Sequence, residues 1–326
     1  MSSRVDVVDA VPVNDELDLL ALRFEYLSPY VDRFVVAESP HTFTGAPKPL
    51  HVTENIERFA RYADRLEIVT YDAEEGATSW ERERLARAAL LNSVSTLPED
   101  SVVLHADADE FPSRGQLTAL RAVASPVVVP LETFYRRANW RLEADTPLLR
   151  VKAMPVRDLP TDLHALRMSD EPEQLQGVPG AHLSYMGFSP ADLAAKLLAF
   201  SHTEFQFSVP AAARVLAVSD SLALDHFGRS AARGRGVLSF VAPAAESELH
   251  TWLRTRRPEW FGDRPLATRM WREMSAAALD EAMSSSDAAR LNGLGVADTL
   301  RSRASHRALV RRSRQVLGQV CRGRLR

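Results

Sequence analysis

Ser101-Val102-Val103-Leu104-His105-Ala106-Asp107-Ala108-Asp109-Glu110-Phe111-Pro112 is the stretch from which the rest of the chain can be read. Val102 to Leu104 form a short apolar run, the pattern of a strand buried on both faces. The run leads straight into Asp107, Asp109 and Glu110. If the backbone stays extended, Asp107 and Asp109 are two residues apart and project from the same side. Neighbouring carboxylates repel one another and lose hydration when buried, and a divalent cation offsets that cost. Hard oxygen ligands suit Mg²⁺ or Mn²⁺. Open α/β sheets also place their ligands beyond the carboxyl ends of the strands. The stretch therefore predicts a cation held against an anionic substrate, a diphosphate. The plainer alternative is a solvated turn or a helix cap leading into Pro112-Ser113, because Asp-x-Asp recurs by chance.

Working outward, strand and helix patterns alternate through the first half. Val5 to Val11 reads as a first strand, and Asn14 as the N-cap of a helix with Asp15 and Glu16 in its first turn. Leu17, Leu20, Phe24 and Leu27 follow at helical spacing. Arg33 to Glu38 and Leu66 to Tyr71 read as strands, with helices expected around Glu54 to Tyr62 and Trp80 to Leu97. Such alternation predicts an α/β fold, a mainly parallel twisted sheet flanked by helices. Further strands are expected at Ala124 to Arg136 and Leu148 to Ala153. Pro155 to Pro179, rich in proline and acids, reads as an active-site loop. Helices are expected at Ala191 to Ser201 and Ala211 to Ser221, and again at Ala267 to Met283 and Val296 to Val320.

Composition narrows the function classes. The 326 residues are 45% hydrophobic and 25% charged, ordinary for a globular protein. A formal net charge of −3 gives no case for nucleic acid as a partner. The charge is uneven, however: from Arg301 to Arg326 there are nine arginines and no acid. The favoured reading of this tail is an amphipathic surface helix with solvated arginines. The alternative is peripheral contact with an anionic membrane. The single cysteine, Cys321, excludes an internal disulfide framework and a cysteine metal cluster. No apolar segment follows a basic region at the N-terminus, and no run approaches the length that spans a bilayer, so a cytoplasmic location is expected.

No Gly-x-Gly-x-x-Gly, Walker loop or Gly-x-Ser-x-Gly elbow occurs. Ser39-Pro40-His41-Thr42-Phe43-Thr44-Gly45-Ala46-Pro47-Lys48-Pro49-Leu50 follows the second strand. Alone it is an ordinary Pro/Gly turn. Yet it sets two threonines and one of only three lysines at a strand's carboxyl end, where a nucleotide would be met. Gly180-Ala181-His182-Leu183-Ser184 offers an imidazole near a glycine. Lys196 precedes Ser201-His202-Thr203-Glu204-Phe205 and could share a site with His202. Taken singly, each is more often structural.

Together, in this order, these blocks and Asn14-Asp15-Glu16-Leu17-Asp18-Leu19-Leu20 resemble glycosyltransferase family 17, from about Val5 to Phe207 and more loosely to Phe261. Two positions depart from the family pattern. Ala181 stands where the family usually has tryptophan, and Ala86-Arg87-Ala88 where it has Gln-Arg-Asn. The resemblance implies a GT-A-type nucleotide-diphospho-sugar transferase fold over residues 1–262, with a helical, Arg-rich extension over 263–326. It implies an inverting enzyme that moves N-acetylglucosamine from a UDP-sugar to a hydroxyl of a carbohydrate or small-molecule acceptor, using Mn²⁺ or Mg²⁺. In that scheme Asp107 and Asp109 serve the metal, Asp109 directly and Asp107 through a bound water or on the ribose. His182 is a further ligand, and Lys196 or His202 meets the diphosphate. Asn14, Glu38, Thr44 and Lys48 meet the nucleotide, and Glu204 is the general base, with Glu132 and Asp162 as alternatives. Two other classes stay open: a metal-dependent phosphoesterase or nucleotidyltransferase, and a non-catalytic sugar-nucleotide binder.

Overall fold

The computed structural model describes residues 4–72, 78–144, 146–201, 208–222 and 234–264. The elements in chain order begin with β1 (Val7–Pro12), α1 (Leu17–Leu27), β2 (Arg33–Glu38), α2 (His51–Glu54), β3 (Leu66–Thr70), α3 (Ser79–Val94), β4 (Val102–His105) and β5 (Glu110–Phe111). They continue with α4 (Arg114–Ala119), β6 (Val127–Tyr135), β7 (Trp140–Ala144), β8 (Leu148–Pro155), α5 (Leu163–Met168), β9 (Glu173–Gln174) and β10 (Gly180–Ser184). The last are α6 (Pro190–Ala199), α7 (Val209–Leu222), β11 (Gly234–Phe240) and α8 (Glu248–Arg256).

The chain forms two compact units. The first comprises the described residues up to Thr133, Pro147–Leu183 and Ala199–Ser201. Its sheet centres on β1, paired in parallel with β2 on one side and β4 on the other, while β3 extends the sheet beyond β2. β8 then runs antiparallel to β4, and β6 antiparallel to β8. The expected alternation and mainly parallel core are therefore present in this half. Val8, Ala10, Val35 and Val103 pack with Leu90 and Val94 of α3. Because every residue of β4 is buried, its three-residue apolar run needs no alternation.

The order of pairing matters for function. From β1 the chain moves outward through β2 to β3, then returns to lay β4 on the opposite side of β1. The direction reverses between β1 and β4, and a crevice opens at such a switch point, beyond the strands' carboxyl ends. The acid stretch follows β4 directly.

The second unit comprises Phe134–Thr146, Ser184–Leu198 and the described residues after 201. Here Phe134 pairs with Arg141 of β7, and β11 lies antiparallel to β7. Tyr135, Trp140 and Leu238 form a core with Leu193 and Leu197 of α6 and Val215 of α7.

Several local expectations are corrected. Asn14 does not cap α1: the helix starts at Leu17, and Glu16 folds back so that its carboxylate accepts from the backbone N–H of Asn14 and Asp15. The helix expected at Glu54 to Tyr62 splits into the short α2 and a 3₁₀ turn over Ile56–Tyr62. The Pro155 to Pro179 segment contains α5, capped by Asp162, whose carboxylate accepts from His164 and Ala165 N–H. β7, β11 and α8 were not anticipated. The helices expected after residue 264 lie outside the described residues, as do His202 and Glu204. Among the described residues no helix is long and apolar enough to cross a membrane.

Candidate active site

Extended geometry does not persist past β4. The strand ends at His105, and Ala108-Asp109 form a turn that carries the chain into β5. Glu110 N–H donates to the Asp107 carbonyl across the turn at 3.0 Å, and the Glu110 carboxylate accepts from Asp107 N–H at 2.7 Å. Asp107 and Asp109 consequently meet different partners, which corrects the expectation that they act from one side.

Asp107 lies between two guanidiniums. Arg87 of α3 donates to Oδ1 at 3.0 Å, and Arg167 of α5 to Oδ2 at 2.5 Å. Burial disfavours the charged carboxylate, but Arg167 and Arg87 outweigh it and hold the pKa far below the usual range. Arg167 also grips Glu110, one nitrogen on each oxygen, at 2.8 Å for both. Its own pKa is raised, because Asp107 and Glu110 more than offset the cost of burying the cation.

A third arginine holds the turn from beneath. Arg23 of α1 and Asp9 of β1 are both fully buried and paired through two bonds of 2.7 and 2.6 Å. The remaining nitrogen, Nη1, donates to the carbonyls of Glu110 at 2.5 Å and Asp107 at 3.3 Å. Behind Asp107, His105 is fully buried. Its Nδ1 is 3.2 Å from the Ala10 carbonyl and must carry the proton, while Nε2 accepts from Arg87 at 3.1 Å. Burial, then the nearby Arg87 and Arg167, push its pKa well down, so His105 is neutral.

Asp109 meets β10 instead. β10 pairs antiparallel with β5, setting His182 opposite Glu110, and Leu183 N–H donates to the Asp109 carbonyl at 2.8 Å. This seam needs Gly180, where a Cβ would lie 2.2 Å from the Phe111 carbonyl oxygen. His182 Nε2 is 3.4 Å from Asp109 Oδ2. Burial lowers the His182 pKa, but Asp109 outweighs it and the net shift is upward. The buried His182 Nδ1 has no hydrogen-bond partner among the described residues.

Asp109 offers a hard oxygen to a divalent cation, and His182 would join it as a ligand on releasing the Nε2 proton now directed at Asp109. Adjacent ligand atoms of an octahedral Mg²⁺ or Mn²⁺ lie about 3 Å apart, and such ions take few protein ligands, completing their shell with phosphate and water. Asp107 fits less well, since each of its oxygens already accepts from a guanidinium. Among the described residues no group of three or more His, Cys, Asp or Glu side chains converges to hold a cation by itself.

The remaining expected residues are distributed as follows. Lys48 reaches the end of β1 and donates to the Asn14 carbonyl at 3.0 Å, bringing those two together at the switch point. Burial lowers the Lys48 pKa against the opposing pull of Glu38, Asp15 and Glu16. Thr44 Oγ1 lies 2.9 Å from Thr42 Oγ1, inside a tight loop closed by Thr42 N–H on the Ala46 carbonyl. Glu38 is fully buried, and its carboxylate accepts from Val52 N–H, Thr53 N–H and the Thr53 hydroxyl, an arrangement that anchors α2. Lys196 belongs to the second unit, its ammonium 5.3 Å from the Tyr185 ring centre and 5.6 Å from that of Phe188. Of the alternative bases, Asp162 is the cap of α5 and Glu132 sits half-buried on β6.

Arg23, Arg87, Arg167 and His105 were not assigned from sequence. A signal existed for Arg23: it falls on the apolar stripe of α1 with Leu20, Phe24 and Leu27, while Asp9 interrupts the apolar run of β1. Arg167 had none, because no periodicity marks its segment.

Comparison with known proteins gives the chain's relatives. β-1,4-Mannosyl-glycoprotein 4-β-N-acetylglucosaminyltransferases from Homo sapiens, Rattus norvegicus and Mus musculus are 32%, 31% and 30% identical to the chain over 124 residues. The matched segment is 35% of this chain and 23% of each relative, so the chain spans about a quarter of their length. The family model described as Glycosyltransferase family 17 matches residues 1–212, a span that contains the acid turn, its three arginines and His182. With most of its length inside that match, the chain belongs to glycosyltransferase family 17.

Proposed function

We propose that the protein is a metal-dependent, inverting glycosyltransferase of GT-A type that moves N-acetylglucosamine from a UDP-sugar to a hydroxyl of a carbohydrate or small-molecule acceptor. The observation that carries the reading is the acid turn itself. In a chain of this family, Asp109, on the turn that follows β4 at the sheet's switch point, lies 3.4 Å from His182 of β10. Asp109 and His182 would hold the cation; when bound, it neutralises charge on the departing diphosphate. The β1 and β2 carboxyl ends, tied by Lys48 to the Asn14 carbonyl, form the floor against which the nucleotide is set. Arg23 and the antiparallel seam of β5 with β10 keep the turn rigid, so the donor meets a preformed site.

Inversion needs a base to take the proton of the acceptor hydroxyl. Glu204 holds that role by family resemblance. The names of the relatives support N-acetylglucosamine as the transferred sugar. Calorimetry with UDP, with and without Mn²⁺, tests the donor site, and a nucleotide-sugar panel scored for metal-dependent UDP release tests the reaction. Tight UDP binding that ignores Mn²⁺, or nucleotide hydrolysis with no transfer to any acceptor, would overturn the assignment.

A further inference from the structure

We infer that Arg167, acting with Arg87, is a positioning residue that clamps the acid turn, so that Asp107 orients Asp109 without itself being a cation ligand. The inference deepens the proposed donor site and rests on Asp109 as the cation's anchor.

Three observations carry it. First, a carboxylate has two oxygens, and Asp107 presents one to Arg87 and the other to Arg167. A divalent cation on either oxygen would sit within a few ångströms of a guanidinium and be repelled by it. Second, Arg167 spans the turn. The same guanidinium that holds Asp107 takes both oxygens of Glu110, and Glu110 in turn accepts from Asp107 N–H. The two ends of the turn are thereby fixed to one rigid, planar group, with Asp109 between them. Third, both acids of the clamp already have cationic partners: Asp107 faces Arg87 and Arg167, and Glu110 faces Arg167, while Arg87 also meets Glu83 of α3 at 3.3 Å. The acid turn is then formed before the cation and nucleotide arrive. Lysine cannot replace Arg167 here, since its point charge lacks the fork that reaches two carboxylates at once.

The experiment has two arms on the full chain. In the first, hydrogen exchange is followed by mass spectrometry on Arg167→Lys with neither metal nor nucleotide present. Amides of 107–110 and of Leu183 are expected to exchange about tenfold faster than in the parent, while those of α1 and β2 are unchanged. Exchange within about twofold of the parent at the turn overturns the clamp. If Arg167→Lys does not fold, Arg87→Lys is read the same way.

The second arm measures UDP affinity by calorimetry with and without Mn²⁺. Arg167→Lys should lose about tenfold in the Mn²⁺-dependent part and keep the metal-free affinity within twofold, whereas a purely structural role would move both together. Asp107→Asn, which sets an amide N–H₂ against one of the two guanidiniums, should lose about tenfold in the Mn²⁺-dependent part as Arg167→Lys does, whereas Asp109→Asn should abolish it. Equal losses for Asp107→Asn and Asp109→Asn would make Asp107 a ligand and overturn the inference. If the parent protein shows no Mn²⁺ dependence, the donor-site reading fails, and the exchange arm by itself upholds or overturns the clamp.

Discussion

Lowering the pH through the histidine range should destabilise the first unit through His105. The residue is fully buried, gives its Nδ1 proton to Ala10 and offers a bare Nε2 to Arg87. Protonation would bury a charge and set an N–H against the Arg87 guanidinium, which is why the folded pKa lies well below its ordinary value. The sign follows. The folded chain resists a proton that the unfolded chain accepts, so the stability contributed by neutral His105 is complete above about pH 6.5 and is lost as the pH falls. The slope approaches about 1.4 kcal/mol per pH unit, and the loss reaches about 2 kcal/mol at pH 5 if the folded form stays neutral. His182 acts oppositely: its pKa is raised, so its contribution is present below about pH 6.5 and fades as pH rises through the folded value. The parent curve alone therefore sums opposing terms, and the informative quantity is a difference. Urea unfolding of the parent and of His105→Gln at pH 7, 6 and 5 isolates it, because glutamine can donate to Ala10 and accept from Arg87 without titrating. The variant should lose about 2 kcal/mol less than the parent between pH 7 and 5. Parallel curves would refute the neutral, proton-resisting histidine.

Three further outcomes are expected. Arg23→Met leaves Asp9 fully buried without its partner and should cost about 3–5 kcal/mol in urea unfolding, recovered only in part in Asp9→Leu/Arg23→Met because the Glu110 and Asp107 carbonyls still lack their donor; a loss under about 1 kcal/mol would contradict the buried pairing. Gly180→Ala drives a Cβ to 2.2 Å from the Phe111 carbonyl oxygen and should part the seam of β10 with β5, a cost of about 1–3 kcal/mol or more; a parent-like melting temperature would show that the seam yields easily. Asp109→Ala should abolish metal-dependent UDP release while circular dichroism stays parent-like, and near-normal turnover would remove Asp109 from the metal site.

The elements that sequence placed well are those whose burial is symmetric or strictly periodic. β2 falls at Arg33–Glu38 as expected, and β4 is buried along its length. In each case apolar pattern and flanking turn residues agree. Local chemistry misled where a side chain had a stronger use for a backbone N–H elsewhere. Glu16 turned back to bind Asn14 N–H and delayed α1, and Glu38 went to the backbone of α2. Asp162, weighed as a base, is committed to the first turn of α5.

What the residues determined unaided was the alternation of strands and helices, the acid stretch at the end of β4, and the motif order that carries the family resemblance. These are local in the chain, written in spacing and residue type. Only the tertiary structure decided how the three acids divide their work. Arg23, Arg87 and Arg167 come from α1, α3 and α5 and converge on one turn across separations of up to 87 residues. Coulomb attraction and hydrogen bonding depend on distance in space, and no periodicity along a chain records which guanidinium will meet which carboxylate.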